Sequence, residues 1–272
     1  MLNPYLPKLV KVKKIRPQAT DAKLFTFEFV DKKDQADFCF NHGQFLMLGL
    51  IGFGEAAFDI CSSTAKLVTF DLAVRKVGIL TEKLHQLKVG DLVTIRGPFG
   101  NGLSEQKYKD KELLLIGGGC GFITMRSFVL DYLAGNLPIK KLDVFYGCAD
   151  QASLFFKDEY RAWQKKVNLA IALEKPLAKW PGKKGVITVL FNNQQDFSNT
   201  VALVCGPPVM YKFVIEELQK RKMKDSDIYL SLERRMYCGI GVCQHCAIGP
   251  YYVCKDGPVF SWAQLKNIPG AI

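Results

Sequence analysis

Glu112-Leu113-Leu114-Leu115-Ile116-Gly117-Gly118-Gly119-Cys120-Gly121 is an apolar run that stops on glycines. Apolar residues without alternation suit a strand covered on both faces, as in a parallel sheet sandwiched by helices. Glycines after such a strand let backbone amides approach a pyrophosphate at a helix N-terminus. A tight structural turn is the alternative for the same residues. Downstream, Met125 to Leu133 is expected to be helical and Leu142 to Gly147 a second strand. Val201 to Gly206 is another strand, and Val209 to Arg221 another helix. Strand and helix alternate, so this half is α/β with a mostly parallel sheet. The later strand ends on Cys205-Gly206-Pro207-Pro208. Both strand ends are expected on one carboxyl edge of the sheet, where dinucleotides bind. Cys205 sits beside a nicotinamide there, or is simply a small buried hydrophobe.

Upstream the texture differs. Residues 9–102 are short strands separated by turn residues. Lys23 to Val30 alternates apolar and polar side chains, and Leu67 to Val74 does so again. A small antiparallel barrel fits best. Two of its loops, Gly54 to Ser63 and Arg75 to Thr81, are candidate cofactor segments. The second combines a basic pair, a glycine and a hydroxyl, a workable phosphate cradle. On local pattern alone neither stands apart from an ordinary loop.

The chain has 272 residues, 49% of them apolar, enough for two modest cores and too many for disorder. Met1 to Tyr5 lacks the form of a signal peptide, and no apolar run approaches the roughly 18 residues needed to span a bilayer. A soluble cytoplasmic protein without membrane contact is expected. The formal net charge of +11 is scattered in small groups such as Lys140-Lys141 and Lys220-Arg221-Lys222. These are solvated surface, or a face for an acidic partner or an anionic dinucleotide. No nucleic-acid motif is present, so no nucleic-acid partner is expected.

Five of the nine cysteines are isolated; the other four crowd together as Cys238-x4-Cys243-x2-Cys246-x7-Cys254. In a reducing compartment such a crowd points to metal rather than disulfides. The first three follow the C-x4-C-x2-C spacing of plant-type 2Fe-2S ligands. Gly239, Gly241 and Gly249 give the loop freedom to bring amides to the sulfurs. A structural zinc is the alternative, although only one tight CxxC knuckle is present. His245, inside the loop, is a further candidate ligand, but with four thiolates available a surface or hydrogen-bonding residue is expected.

A barrel, then a GGG-x-G turn, then CGPP is similar to the ferredoxin–NADP reductase superfamily. Leu232-Glu233-Arg234-Arg235-Met236-Tyr237-Cys238 through Cys246, and Tyr251 to Phe260, narrow the match. These resemble the gamma subunits of cytosolic sulfhydrogenases, which are nickel–iron hydrogenases. NPY at 3–5, GFGE at 52–55, CSS at 61–63, RGPFGNG at 96–102 and CGPPVMYK at 205–212 extend the likeness along the whole chain. The electron-transfer subunits of anaerobic sulfite reductase and of dihydroorotate dehydrogenase resemble it too.

The resemblance implies an antiparallel β-barrel FAD domain (1–104), an α/β NAD(P)-binding domain (105–226) and a short 2Fe-2S segment (227–272). It implies FAD contacts at Phe58, Asp59, Ile60, Cys61, Ser62, Val74, Arg75, Gly78 and Thr81. It implies a nicotinamide site at Gly117, Gly118, Gly119, Gly121, Cys205, Gly206 and Pro207. Cys238, Cys243, Cys246 and Cys254 would hold the cluster. A hydride brings two electrons and a 2Fe-2S cluster takes one, so flavin belongs between NAD(P)H and cluster. No side chain is assigned as a general acid or base. The implied partner is another subunit of a redox complex, a hydrogenase first and a sulfite reductase second. A zinc-binding structural subunit is the remaining alternative.

Four positions depart from the superfamily pattern. Ala56 and Asp59 stand where an arginine and a hydroxyl residue are usual, and Ile123-Thr124 where Ala-Pro is usual. A carboxylate beside the flavin disfavours an anionic reduced ring, so Asp59 is expected to weaken flavin binding or lower its potential. Ile123 is expected to crowd the nicotinamide. Cys148-Ala149-Asp150 offers no positive charge to a 2′-phosphate, which favours NADH or poor discrimination, unless Arg126 or Lys157 swings in.

Overall fold

The computed structural model describes residues 3–65 and 68–272. Leu67 of the second alternating run, and Met1 and Leu2 of the N-terminal stretch, lie outside them.

Six strands form the first sheet: β1 (Lys8–Pro17), β2 (Ala22–Phe29), β3 (Phe45–Leu50), β4 (Gly54–Asp59), β5 (Thr69–Arg75) and β6 (Leu92–Phe99). Their order is β4-β3-β6-β1-β2-β5, every pairing antiparallel. A bridge between Ile60 and Leu72 joins the two ends and closes the barrel. Alternation along β2 explains its two faces. Phe25, Phe27 and Phe29 point into the barrel core, while Leu24 packs outward against the second domain. Burying each such phenyl ring is worth roughly 1.5–3 kcal/mol. Two short helices, α1 (Lys32–Asp37) and α2 (Ile79–Leu84), decorate the barrel, and α3 (Glu105–Tyr108) leads out of it.

The second sheet holds β7 (Glu112–Gly118), β8 (Lys141–Cys148), β9 (Asn168–Leu173), β10 (Lys183–Lys184), β11 (Thr200–Cys205) and β12 (Ile228–Ser231). All of these run parallel, in the order β10-β9-β8-β7-β11-β12. The central strands are buried on both faces, as an unalternating apolar sequence requires. Helix α4 (Phe122–Ala134) follows β7, the short α5 (Tyr160–Trp163) precedes β9, and α6 (Pro208–Lys220) follows β11. Pro208 opens α6 at a position where its missing N–H costs nothing.

Helix α4 is wedged between sheet and barrel, which explains why it is apolar nearly all round. Its Phe122 ring stacks on Tyr146, centroids 3.8 Å apart. Its Arg126 is buried yet paired with Asp71 of β5 and with Glu159, each at 2.9 Å. Arg126 also donates to the Cys61 carbonyl. These partners offset the cost of burying the guanidinium. Further along α4, Asp131 accepts from His42, Ser63 and Thr64 of the barrel side. Ser127, His42 and Asp131 form a serine–histidine–acid row, but Ser127 is 0% exposed. The row is an interdomain lock.

The last stretch joins the second sheet. β12 lies parallel to β11, and β15 (Val259–Ser261) returns antiparallel to β12. Between them runs the cysteine loop, with the two-residue hairpin β13 (Ala247–Ile248) and β14 (Tyr251–Tyr252) and helix α7 (Val253–Asp256). Helix α8 (Trp262–Leu265) follows β15. The loop packs back on the barrel: Phe45 and Met47 of β3 share an apolar cluster with Cys246 and Cys254.

Candidate functional site

β7 has β8 on one side and β11 on the other, so the connections leave it in opposite directions. The carboxyl ends of β7 and β11 therefore flank the crevice where open α/β sheets take ligands. Cys205 is paired in register with Gly117, which puts both glycine-bearing strand ends on one edge, as expected. Gly121 allows the close approach of those ends, because a Cβ there would strike the Cys205 carbonyl. A cavity of about 790 Å³ opens above, lined by Gly118, Gly119, Gly121, Gly206 and Pro207 among others. Gly117 lies beneath it, packed on Phe122. Cys205 is only 1% exposed, and burial holds its thiol well above the usual range. It fits the buried-hydrophobe alternative, although Thr124 Oγ1 is 3.8 Å from its sulfur.

A second cavity, about 460 Å³, lies between barrel and sheet. Of the residues expected at flavin, Phe58, Asp59, Arg75 and Thr81 line it. Ile60, Cys61, Ser62 and Val74 are buried in the barrel wall instead. Ser62 Oγ accepts from the Asp71 amide, and the Cys61 thiol donates to the Asp71 carbonyl. Thr81 uses its hydroxyl to close its own loop, accepting from the Val77 and Gly78 amides at 2.9 Å. Gly78 is exposed and outside the cavity lining.

Two of the departures turn out to be one feature. The Thr124 hydroxyl donates to the Asp59 carboxylate across the domain boundary. Burial pushes the Asp59 carboxyl up to about 6, against the pull of Thr124 and with a further push from Glu233. A carboxyl raised so far takes up a proton more readily than an ordinary aspartate, while staying mostly charged at pH 7. Ile123 lines the flavin-side cavity. Five residues line both cavities: Arg75, Cys120, Leu232, Glu233 and Arg234. The three-residue stretch among them was visible only as part of the family motif; nothing in its local pattern marked it as a floor.

Met236 and Tyr237 line the flavin-side cavity, and the next residue is Cys238. Cys238 Sγ accepts from the amides of Ile240, Val242 and Cys243 at 3.3 to 3.4 Å. Burial opposes ionisation there, but these donors win and lower the thiol. The Cys243 thiol falls to about 7 through amides of its own loop. Gly241, at φ +78°, turns its N–H onto Cys254 Sγ at 3.1 Å. Cys246 and Cys254 sulfurs sit 3.4 Å apart. The four thiols thus form two pairs, and among the described residues no three side chains converge on a single ion. Amide donors aimed at sulfur stabilise thiolates, and two pairs suit two irons better than one tetrahedral zinc. His245 is exposed, as expected. Arg96, which opens the RGPFGNG stretch, clamps this loop: its guanidinium binds the Glu55 carboxylate and donates to the carbonyls of Pro4 and Cys238 at 3.0 Å.

Comparison with known proteins matches this order of sites. Residues 9–102 match the oxidoreductase FAD-binding domain, and 115–216 the oxidoreductase NAD-binding domain. Residues 233–266 match the iron–sulfur cluster binding domain of dihydroorotate dehydrogenase B. Over its full length the chain is 37% identical to sulfhydrogenase 2 subunit gamma of Pyrococcus furiosus, also covered in full. The chain belongs to the sulfhydrogenase gamma-subunit family. A probable dihydroorotate dehydrogenase B electron transfer subunit of Pyrococcus abyssi is 37% identical over 89% of this chain and 85% of its own. The fold is shared with an NADH-dependent reduced ferredoxin-NADP oxidoreductase, at TM-score 0.73, 23% identity, and 95% and 91% coverage.

As a gamma-subunit family member the chain is a flavoprotein oxidoreductase subunit that uses FAD, NAD(P)H and a 2Fe-2S cluster to move electrons. The zinc-knuckle alternative falls with the iron–sulfur match. Among the described residues no helix is long and apolar enough to cross a membrane.

Proposed function

We propose that this chain is the diaphorase subunit of a cytoplasmic nickel–iron hydrogenase. It passes electrons between NAD(P)H, FAD, its 2Fe-2S cluster and a partner subunit. One observation carries the route. The segment from Leu232 to Arg234 floors both the dinucleotide cavity and the flavin-side cavity, then continues through Tyr237 to Cys238. Hydride donor, two-electron acceptor and one-electron carrier are thereby strung along one strand exit. We divide the chain at residues 104 and 226 into flavin, dinucleotide and cluster units. Cys238, Cys243, Cys246 and Cys254 hold the cluster. Phe58, Asp59, Arg75 and Thr81 meet flavin, with Ile60, Cys61, Ser62, Val74 and Gly78 shaping that wall. Gly118, Gly119, Gly121, Gly206 and Pro207 meet the dinucleotide, with Gly117 and Cys205 beneath.

NADH is the favoured donor. Arg126 is committed to Asp71 and Glu159, and Lys157 donates to the Gln151 carbonyl. Glu174 lines the cavity beside Cys148 and Ala149, and its charge repels a 2′-phosphate. Anaerobic affinity isolation from the native cell tests the assignment. Nickel and hydrogen-dependent dye reduction in the captured complex support it. Siroheme with sulfite reduction would move the chain to a sulfite reductase, and an active chain without partners would refute both.

A further inference from the structure

Asp59, Thr124, Cys205 and Glu233 converge from four elements where the two cavities meet. Asp59 ends β4, Thr124 lies in the first turn of α4, Cys205 ends β11, and Glu233 follows β12. Asp59 and Thr124 are 65 residues apart and both depart from the superfamily pattern, yet they are hydrogen-bonded to each other. Replacing one alone would leave a buried carboxylate without its donor, or a hydroxyl without its acceptor. The pair is therefore a joint device at the meeting point of the cavities.

We propose that Asp59, positioned by Thr124, is the proton-exchange group for hydride transfer in this subunit. The inference rests on the flavin reading of the cavity. A hydride is one proton and two electrons. The 2Fe-2S cluster accepts electrons singly and no proton. For each hydride that enters, two electrons leave through the cluster and one proton stays behind. An Asp59 carboxylate oxygen takes that proton, becoming a carboxylic acid, and releases it to water through the cavity. In the opposite direction the acid returns it, and charge and atoms balance both ways.

The other groups facing Asp59 are poorly suited. Cys205 and Cys120 are thiols held above their usual range by burial. Arg75 keeps its proton, salt-bridged to Asp21 at 2.6 Å. Thr124 offers only a hydroxyl, and Glu233, also raised by burial, lies exposed on the shared floor without a donor such as Thr124 to position it. No histidine or lysine is among the described residues that line the flavin-side cavity. Burial lifts the Asp59 carboxyl to about 6, into the range where a group both accepts and releases a proton at neutral pH.

The test is redox difference infrared spectroscopy of the FAD-loaded full-length chain, with flavin midpoint potential measured against pH. The expected result is a carboxylic-acid carbonyl band that changes on flavin reduction, and a bend in the potential curve near pH 6. Asp59→Asn should remove both. Thr124→Val should keep the band but shift it and the bend. A flavin-loaded natural chain with no such band, or a band that survives in Asp59→Asn, overturns the proposal. Should Asp59→Asn lose flavin, an unmoved band in Thr124→Val overturns it instead. A natural chain that binds no FAD would overturn the flavin reading itself, and the proposal with it.

Discussion

Arg96→Met tests how the cluster loop is held. The guanidinium is buried at 6% exposure and has no partner on its own strand. It makes two bonds to the Glu55 carboxylate, one each to the Pro4 and Cys238 carbonyls, and a long one to Tyr237. Methionine preserves much of the packing on Phe99 and removes every donor. A hydrogen bond to a charged group is worth about 1.5–3 kcal/mol, and breaking a buried pair about 3–5 kcal/mol. Glu55 keeps 30% of its side-chain exposure and is rehydrated, so the loss is expected at the low end, about 3 kcal/mol. At about 1.4 kcal/mol per decade, the loop opens roughly 100-fold more often. Anaerobic iron release to a chelator should quicken by about that factor, and the cluster's paramagnetic resonance lines should broaden. Unchanged release and an unchanged signal in a folded Arg96→Met chain would refute the clamp.

Cys246→Ser should abolish the cluster and leave flavin reduction by NADH largely intact; joint loss of flavin would show that loop and barrel fold together, through Phe45 and Met47. Stopped-flow flavin reduction should favour NADH, and Glu174→Arg should narrow the gap to NADPH; a strong NADPH preference in the natural chain would undo the charge argument. Acid stability should depend on Asp131. Burial raises that carboxyl, but donors from His42, Ser63 and Thr64 lower it to about 2. A depressed folded value means stability that is present above the unfolded value and lost as pH falls from about 4 to about 2, on the order of 2 kcal/mol. Asp131→Asn should be less stable at pH 7 and lose less in that window; parallel acid-unfolding curves would count against the lock.

Local periodicity carried much of the fold. The alternation at Lys23–Val30 gave β2, and the amphipathic run from Val209 gave α6, each within a residue or so. Helix α4 begins at Phe122, three residues earlier than expected, because Phe122-Ile123-Thr124 sits between two packed layers and shows no polar face. The strand role of Ile228–Ser231 and Val259–Ser261 was not legible. Each is short, and β15 finds its partner across the whole cysteine loop, so no local pattern records the pairing. The same physics hid the functional contacts. Spacing announced the four cysteines, yet Arg96 acts through residues 4, 55, 237 and 238, and Asp59 through Thr124. Taken singly, the substitutions at 59 and 124 looked like damage to a flavin site; only the folded chain joins them.

The central claim is the route from nicotinamide through flavin to the cluster. Its most direct measurement is anaerobic titration of the purified chain with NADH, followed by visible absorption and electron paramagnetic resonance. The account predicts one FAD and two irons per chain, flavin bleaching on the first addition, and then the signal of a reduced 2Fe-2S centre. Stoichiometric zinc without iron, or a 2Fe-2S centre that dithionite reduces and neither NADH nor NADPH can, would contradict it.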